Sequence, residues 1–307
     1  MRVVFDQIIL IILVTALGFI AAKIGIITAA IKLGLSKIVL VLAVPAAIVA
    51  SGSLDITAEA WVRVGQLFVI SFIFHVGLFF LSKAIGLRLY RVKDKGRIAV
   101  LAITFGNVMF VGFPVVKGIY GAEGLFLAAI FVIPFNLLFY TLGIKLVNQT
   151  QKMSMKQLLL TPFNVSLVVM FILLITQFKL PTALQQTADL LGGLCTPLSL
   201  LVVGAMVADC PVRALFEDGA LWVVSIVRTL MIPVLILGIM ALLPLDLLLK
   251  QTVVALAAMP GASMSAMVAE QYQCAPRFGS LSVVHSTVLF VFTFPFMMYL
   301  SHLVLGG

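Results

Sequence analysis

The sequence predicts an all-α integral membrane protein with ten transmembrane helices, arranged as two inverted five-helix repeats. Three observations support this prediction: a strongly apolar composition, ten apolar stretches of spanning length, and matching motifs in the two halves. Hydrophobic residues make up 63% of the 307 residues and charged residues only 10%, whereas soluble domains are roughly 45–50% apolar and about 25% charged. A soluble enzyme, a disordered chain and a nucleic-acid-binding domain are therefore disfavoured.

The ten predicted spans follow from the length of each apolar run, because a membrane-crossing helix needs about 20 mostly apolar residues. Numbered 1 to 10, they cover residues 5–22, 33–51, 62–82, 97–116, 123–146, 161–178, 188–207, 220–242, 251–270 and 280–300. The longest polar connections lie around Arg88–Arg97 and Asn148–Gln157. Neither is long enough for a separate domain, so we expect a single membrane domain.

Basic residues are distributed unevenly between the two sides of the predicted membrane. Of the 20 Lys and Arg residues, 14 follow odd-numbered spans, 5 lie on the opposite side, and Arg228 falls within a span. Cytoplasmic loops carry the excess of Lys and Arg in membrane proteins. We therefore expect a multi-pass protein of the cell membrane, inner or plasma, with both termini on the non-cytoplasmic side.

A repeat is indicated because five spans in each half are an odd number, so two tandem halves have opposite orientations in the membrane. The predicted halves are residues 1–150 and 151–307. In span 2, Pro45 is followed seven residues later by Gly52, and in span 7, Pro197 is followed seven residues later by Gly204. Both pairs occupy equivalent spans, which supports the repeat, and both prolines are predicted helix kinks.

Spans 4 and 9 contain helix-breaking and small polar residues near their centres. Proline removes a backbone hydrogen bond, and unpaired backbone groups must be buried in protein or line a watery cavity. Paired interrupted spans in corresponding positions of two halves indicate a transporter's binding site, whereas a simple proline kink is the commoner explanation for a single span. The residues predicted to form the breaks are Gly106, Gly112 and Pro114 in span 4, and Pro260 and Gly261 in span 9.

Several stretches resemble the auxin efflux carrier family, whose bacterial members include malonate and malate permeases. They are Leu17–Gly18, Ala43–Ala46, Phe105–Asn107, Gly112–Pro114, Tyr120–Gly124, Gly193 through Gly204, Ala258–Ala262, and Ser286–Thr287 followed by Pro295. The resemblance extends over essentially the whole chain. It implies a fold like that of bile-acid symporters, in which spans 4 and 9 are unwound and cross near the membrane midplane.

The same resemblance implies a division of labour between the spans. Spans 1, 2, 6 and 7 would form a scaffold, with Pro45 and Pro197 as its kinks, and spans 3–5 and 8–10 would form a moving transport domain. It also implies organic monoanions or dicarboxylates as substrates.

Five polar residues are candidates for substrate binding. Arg228 is a charge at membrane depth, which marks a functional site by default. It could attract an anion or, equally well, brace the crossing region through backbone carbonyls. Asn107 suits a carboxylate or freed backbone groups. Asn136 could bind substrate or join two helices, and Ser263 and Ser265 could bind substrate or bond back to their own helix.

Residue types that are missing also narrow the function. The centres of the ten spans contain no Asp or Glu, which disfavours a cation exchanger with paired carboxylates. The three cysteines show no CxxC spacing, so we expect no metal site. No protease, hydrolase or nucleotide motif is present, so we expect no enzyme activity. His75 and His285 could shuttle protons, although a hydrogen-bonded core histidine is the commoner role.

The predicted function is a secondary active transporter that moves small organic anions, such as carboxylates, dicarboxylates or auxin-like acids, by alternating access. A passive channel, a sensor with a transporter fold and a membrane-embedded enzyme stay open as alternatives. We expect no bound cofactor, and a proton or a sodium ion is the candidate coupling ion. The expected partners are the substrate anion and membrane lipid but no nucleic acid, and a homodimer is a candidate assembly.

Overall fold

The computed structural model describes residues 2–53, 58–90, 92–148, 160–209, 213, 216 and 218–306. That part of the chain is helical, with one isolated backbone bridge and no β-strand. The helices are α1 (Arg2–Lys23), α2 (Ala29–Ile38), α3 (Val44–Ser51), α4 (Ala58–Leu89), α5 (Lys93–Thr104), α6 (Phe113–Leu138), α7 (Ile144–Val147), α8 (Pro162–Thr176), α9 (Thr182–Gly193), α10 (Cys195–Ala208), α11 (Gly219–Ile226), α12 (Ile232–Leu242), α13 (Leu247–Ala257), α14 (Ser263–Gln271) and α15 (Pro276–Leu305).

Widened π-helical turns continue several of these helices, and three of the turns are followed two residues later by a proline. The π turns are Val39–Ala43, Val108–Gly112, Phe139–Gly143 and Val227–Met231. Pro45, Pro114 and Pro233 lie two residues beyond the first, second and fourth. A proline cannot donate to the carbonyl four residues earlier and collides with it, and in each case that carbonyl lies at the middle of the π turn. The backbone hydrogen bonds change to the wider i→i+5 pattern in this turn, and the helix continues beyond the proline.

In the described part of the chain, six helical segments are long and apolar enough to cross a membrane: Ala29–Ser51, Trp61–Leu89, Val108–Val147, Thr182–Ala208, Gly219–Leu242 and Pro276–Leu305. Three shorter apolar helices cover Ile9–Lys23, Pro162–Thr176 and Leu247–Ala257. These helices confirm the prediction of an all-α, multi-pass membrane protein. The arrangement as ten spans in two inverted repeats stays a prediction.

The longest of these helices, Val108–Val147, is divided by a break at Gly121. With 40 residues it would be about 60 Å long if continuous, roughly twice the thickness of the hydrocarbon core. Gly121 has φ 68° and ψ −153°, a conformation that is open to glycine because it lacks a Cβ atom. The break falls between predicted spans 4 and 5, which end at residue 116 and begin at residue 123.

Backbone proximity groups the chain into two compact units. Unit 1 comprises Met1–Leu67, Met109–Ile130 and Ser154–Ala208, and unit 2 comprises Phe68–Val108, Phe131–Met153 and Asp209–Gly307. Predicted spans 1, 2, 6 and 7 fall in unit 1, spans 8, 9 and 10 fall in unit 2, and spans 3, 4 and 5 are divided. The scaffold and transport roles, and the halves 1–150 and 151–307, stay predictions.

Within unit 1, α1 and α10 touch backbone to backbone through two glycines. A Cβ atom on Gly18 would overlap the Leu201 carbonyl oxygen, and one on Gly204 would overlap the carbonyl oxygen of Thr15. Gly52 makes a similar approach to α8, where a Cβ would lie 3.1 Å from the Met170 Cα atom. Both glycines of the repeated proline–glycine motif therefore lie where helices come together.

Candidate functional site

The two interrupted segments of unit 2 contact each other directly. The helix α5 ends at Thr104, and Phe105 beyond it is extended, with φ −103° and ψ 116°. The chain is likewise non-helical between α13 and α14. Gly106 in the first segment and Gly261 in the second form an isolated antiparallel bridge. Each break thus presents a short extended segment that pairs with the other.

Backbone amides at the breaks donate hydrogen bonds within the protein. The Asn107 amide donates to the Pro260 carbonyl at 2.7 Å, and the Ala262 amide donates to the Phe105 carbonyl at 2.9 Å. The Gly261 amide donates to the Ser286 Oγ atom at 3.0 Å. These three amide donors are therefore already engaged, and an anion could bind them only by displacing these hydrogen bonds.

The residue types at the breaks explain this local structure. Pro260 has no N–H group, so it cannot continue the ladder of α13. Gly261 leaves room for close packing, because a Cβ there would lie 3.2 Å from the Ser286 Oγ atom and 3.4 Å from the Ala102 carbonyl oxygen. The absence of a side chain therefore permits the two extended segments to lie side by side.

Arg228 links the ends of the two broken helices. It lies in the π turn Val227–Met231 and its side chain is 1% exposed. Its Nε atom donates to the Met259 carbonyl at 2.9 Å, and its Nη1 atom donates to the Ile103 carbonyl at 3.2 Å. The last carbonyls of a helix have no partner within it and carry the negative end of its dipole. The guanidinium thus has the bracing geometry that the sequence left open as one of two alternatives.

Gly106 provides the space for this guanidinium. A Cβ atom on Gly106 would overlap the Arg228 Nη2 atom and lie 2.9 Å from its Cζ atom. Gly106 therefore has two roles: its backbone pairs with that of Gly261, and its lack of a side chain leaves space for the guanidinium group of Arg228. Sequence reasoning singled out Gly106 as a break residue but not as a neighbour of Arg228.

Asn107 and the serines of α14, Ser263 and Ser265, are here called the polar cluster, and all three lie within four residues of Gly106 or Gly261 along the chain. The Asn107 side chain is buried and its Nδ2 atom donates to the Ser263 Oγ atom at 3.0 Å. Ser265 is fully buried, and its Oγ atom has no hydrogen-bond partner among the described residues. Unit 2 therefore brings four of the five candidate binding residues to the two breaks.

The remaining predicted residues form no hydrogen bond with the paired breaks in the described part of the chain. Asn136 is buried in α6, and within the described part of the chain no hydrogen bond joins it to the other candidates. Gly112 ends the π turn Val108–Gly112 and Pro114 lies in the first turn of α6, so the chain is helical at both. Pro45 lies in the first turn of α3, and Pro197 lies in the first turn of α10, just after the interruption at Leu194.

Two polar residues near the site, Ser286 and His75, were not among the binding residues predicted from the sequence. Ser286, which was part of a motif only, accepts from Gly261 and donates to the Val283 carbonyl at 2.9 Å. A Ser-Thr pair in the middle of an apolar span was the available signal. His75 lies with its Nδ1 atom 2.7 Å from the Ser71 carbonyl oxygen, and its ring stacks on that of Phe105 at 6.2 Å.

His285 is likewise bonded in the core, with its Nδ1 atom 2.8 Å from the Ser225 Oγ atom. Among the described residues, no group of three or more His, Cys, Asp or Glu side chains could hold a metal ion.

Comparison with known proteins identifies the family. The family model described as "Membrane transport protein" matches residues 3–298. The chain belongs to this membrane transport protein family. An uncharacterized transporter of Methanocaldococcus jannaschii is 23% identical over 300 residues, which are 94% of each chain. The resemblance to auxin efflux carriers inferred from the motifs is thereby confirmed. The chain is a transmembrane transport protein, and both comparisons favour transport over catalysis.

Proposed function

We propose that this membrane transport protein is a secondary active carrier for small organic anions, such as carboxylates, dicarboxylates or auxin-like acids, in the cell membrane. The observation that carries the proposal is the buried guanidinium of Arg228 at the paired helix breaks. No carboxylate forms a hydrogen bond with it in the described part of the chain. A positive charge in this setting produces a field that attracts anions, because opposite charges interact more strongly where water is excluded.

In this proposal, the substrate carboxylate meets the polar cluster of Asn107, Ser263 and Ser265. Arg228 uses its Nε and Nη1 atoms on carbonyls, so its charge acts across a short distance and the direct contacts come from the cluster. The Ser265 hydroxyl has no partner among the described residues, and such a buried group costs about 1–3 kcal/mol. A bound carboxylate would accept from it and remove that cost.

Alternating access would move one set of spans against the other while the polar cluster holds the anion. We propose spans 3–5 and 8–10 as the moving part and spans 1, 2, 6 and 7 as the scaffold.

Both termini would lie on the non-cytoplasmic side because of the distribution of basic residues. A reporter fused after the last residue should then read as non-cytoplasmic and one at Lys93 as cytoplasmic. A cytoplasmic C-terminus would refute the ten-span topology.

The function is tested with the purified full chain in liposomes. Vesicles preloaded with an unlabelled carboxylate should accumulate the labelled compound transiently against its gradient, because a carrier exchanges substrate across the membrane and a channel does not. The panel comprises a monocarboxylate, malonate, malate and an indole carboxylate, with the corresponding neutral amides as controls. Uptake without counterflow would indicate a channel, and chemical conversion of the substrate would indicate an enzyme.

The binding residues are tested by substrate-dependent thermal stabilisation. Asn107→Ala should reduce the stabilisation by the preferred carboxylate with little effect on expression, because its side chain belongs to the polar cluster. Asn164→Ala is the matched control, since Asn164 lies in α8 of unit 1. Equal stabilisation of the Asn107→Ala variant and the wild-type protein would place the substrate elsewhere.

A further inference from the structure

The guanidinium of Arg228 lies where a free cation would be expected in a carrier with broken helices. In such carriers, unwound carbonyls and the C-terminal ends of half-helices coordinate the coupling cation. Arg228 contacts two groups of this kind: the Ile103 carbonyl in the last turn of α5, and the Met259 carbonyl two residues beyond α13. Both carbonyls lie at the negative end of a helix dipole.

The surroundings of the Arg228 guanidinium suit a cation that stays in the site permanently better than one that binds and dissociates during transport. Arg228 is 1% exposed, and in the described part of the chain its charge faces helix ends with no carboxylate bonded to it. The slot above Gly106 has no room for a Cβ atom, so the guanidinium fills the space between the breaks. A planar group that donates in two directions matches two carbonyls contributed by different helices.

We propose that Arg228 is a built-in cation that takes the place of a coupling metal ion. Substrate binding is then independent of sodium and potassium, since the site already holds its positive charge. The space that the Arg228 guanidinium occupies, between the Ile103 and Met259 carbonyls, is itself a binding site for a cation. Removing the side chain leaves two carbonyls and two negative helix ends without a partner, and a free guanidinium ion can replace the lost group. The independence of substrate binding from sodium and potassium rests on the proposed carrier function, whereas the binding of guanidinium in place of the Arg228 side chain does not.

The pocket is tested with the Arg228→Ala variant and guanidinium chloride at low millimolar concentration, far below its denaturing range. An ion that binds only the folded state raises the unfolding temperature, and the rise grows with the logarithm of the ion concentration once that exceeds the dissociation constant. We expect this logarithmic rise for Arg228→Ala, no such rise for the wild-type protein, and none with sodium chloride at equal ionic strength. Arg97→Ala is the matched control, since Arg97 lies at the surface and pairs with Asp94. An equal rise with sodium, or no rise at all, overturns the inference.

Two measurements keep the inference falsifiable if Arg228→Ala does not fold. The Arg228→Lys variant retains a point charge, so it should fold and bind carboxylate with reduced affinity. In the wild-type protein, replacing sodium by potassium or by a large organic cation should leave carboxylate-dependent stabilisation unchanged, and a requirement for sodium refutes the built-in cation. If no carboxylate is bound or transported, guanidinium rescue still succeeds or fails independently, so the two proposals can be told apart.

Discussion

Replacing Gly106 by alanine is the most direct test of the contact between the helix break and Arg228. The new methyl group would overlap the Nη2 atom and lie 2.9 Å from the Cζ atom. The side chain of an arginine is flexible, but here its Nε and Nη1 atoms are held by the carbonyls of Met259 and Ile103. The guanidinium cannot stay in place, so both hydrogen bonds lengthen or break.

The size of the effect follows from those two bonds. A hydrogen bond from a charged donor contributes about 1.5–3 kcal/mol, so losing both lowers the free energy of unfolding by about 3–6 kcal/mol. The charge also remains buried without its partners, which adds to the loss. We therefore expect a clearly lower unfolding temperature for Gly106→Ala and little or no uptake.

The assay is thermal unfolding in detergent together with uptake in liposomes. Gly238→Ala is the matched control, because it lies on the same helical segment as Arg228 and a Cβ there meets no atom within 4 Å. It should be unchanged or more stable by up to about 1 kcal/mol. The double variant Gly106→Ala with Arg228→Ala should be no less stable than Arg228→Ala alone, since the damage acts through the arginine. Fully additive losses, or a Gly106→Ala variant as stable as the control, would refute the reasoning.

Three further outcomes are expected. Gly204→Ala forces a Cβ into the backbone oxygen of Thr15, so its yield in membranes and unfolding temperature should fall, while Gly65→Ala, with open space around it, should match the wild-type protein. Pro260→Ala restores a backbone donor and favours a continuous helix, so uptake should be lost while the unfolding temperature holds or rises; retained uptake would count against the role of the break. Burial raises the pKa of the Cys274 thiol to about 11, so the thiol stays protonated at neutral pH and its maleimide labelling, followed by peptide mass, should increase about tenfold per pH unit; a rate that levels off near the usual thiol pKa of about 8.5 would contradict the burial.

The positions of the helix breaks could be predicted because the chemistry of proline and glycine is local. The sequence placed breaks near Gly106 and Pro260, and the structure has non-helical segments at both. At Gly112 and Pro114 the same reasoning overestimated the disruption. A proline near the start of a helix can be accommodated by a wider turn, and the π turn Val108–Gly112 does this without unwinding.

The partners of Arg228 could not be predicted from the sequence. The Ile103 carbonyl is 125 residues away along the chain and the Met259 carbonyl is 31 residues away. Every residue has a carbonyl, so no residue type marks the ones that will accept. Only the tertiary arrangement of α5, α13 and the π turn brings these three groups together, and the sequence could therefore state the bracing role only as an alternative.

Unit 2 contains two contacts at equivalent positions of the two predicted halves, which the sequence motifs did not include. Ser71 donates to the Phe131 carbonyl at 2.6 Å, and Ser225 lies 2.8 Å from the His285 ring nitrogen. Each member of the second pair lies 154 positions after its counterpart in the first. The first members of both pairs are serine, whereas the second members are Phe131 and His285, so a single shared serine was too little for the sequence comparison to single out. This correspondence supports the predicted inverted repeat.

The glycine contact between α1 and α10 has a consequence for how the chain is made. Gly18 lies against Leu201, which is synthesised more than 180 residues later. At about 5–20 residues per second, the ribosome needs roughly 10–40 seconds to deliver the partner helix. As predicted span 1, α1 would have only lipid, or the insertion machinery, to contact around Gly18 during that interval. It would have to persist in the bilayer on its own hydrophobicity until its partner arrives, so a polar substitution at Gly18 would act during synthesis, before any folded protein exists.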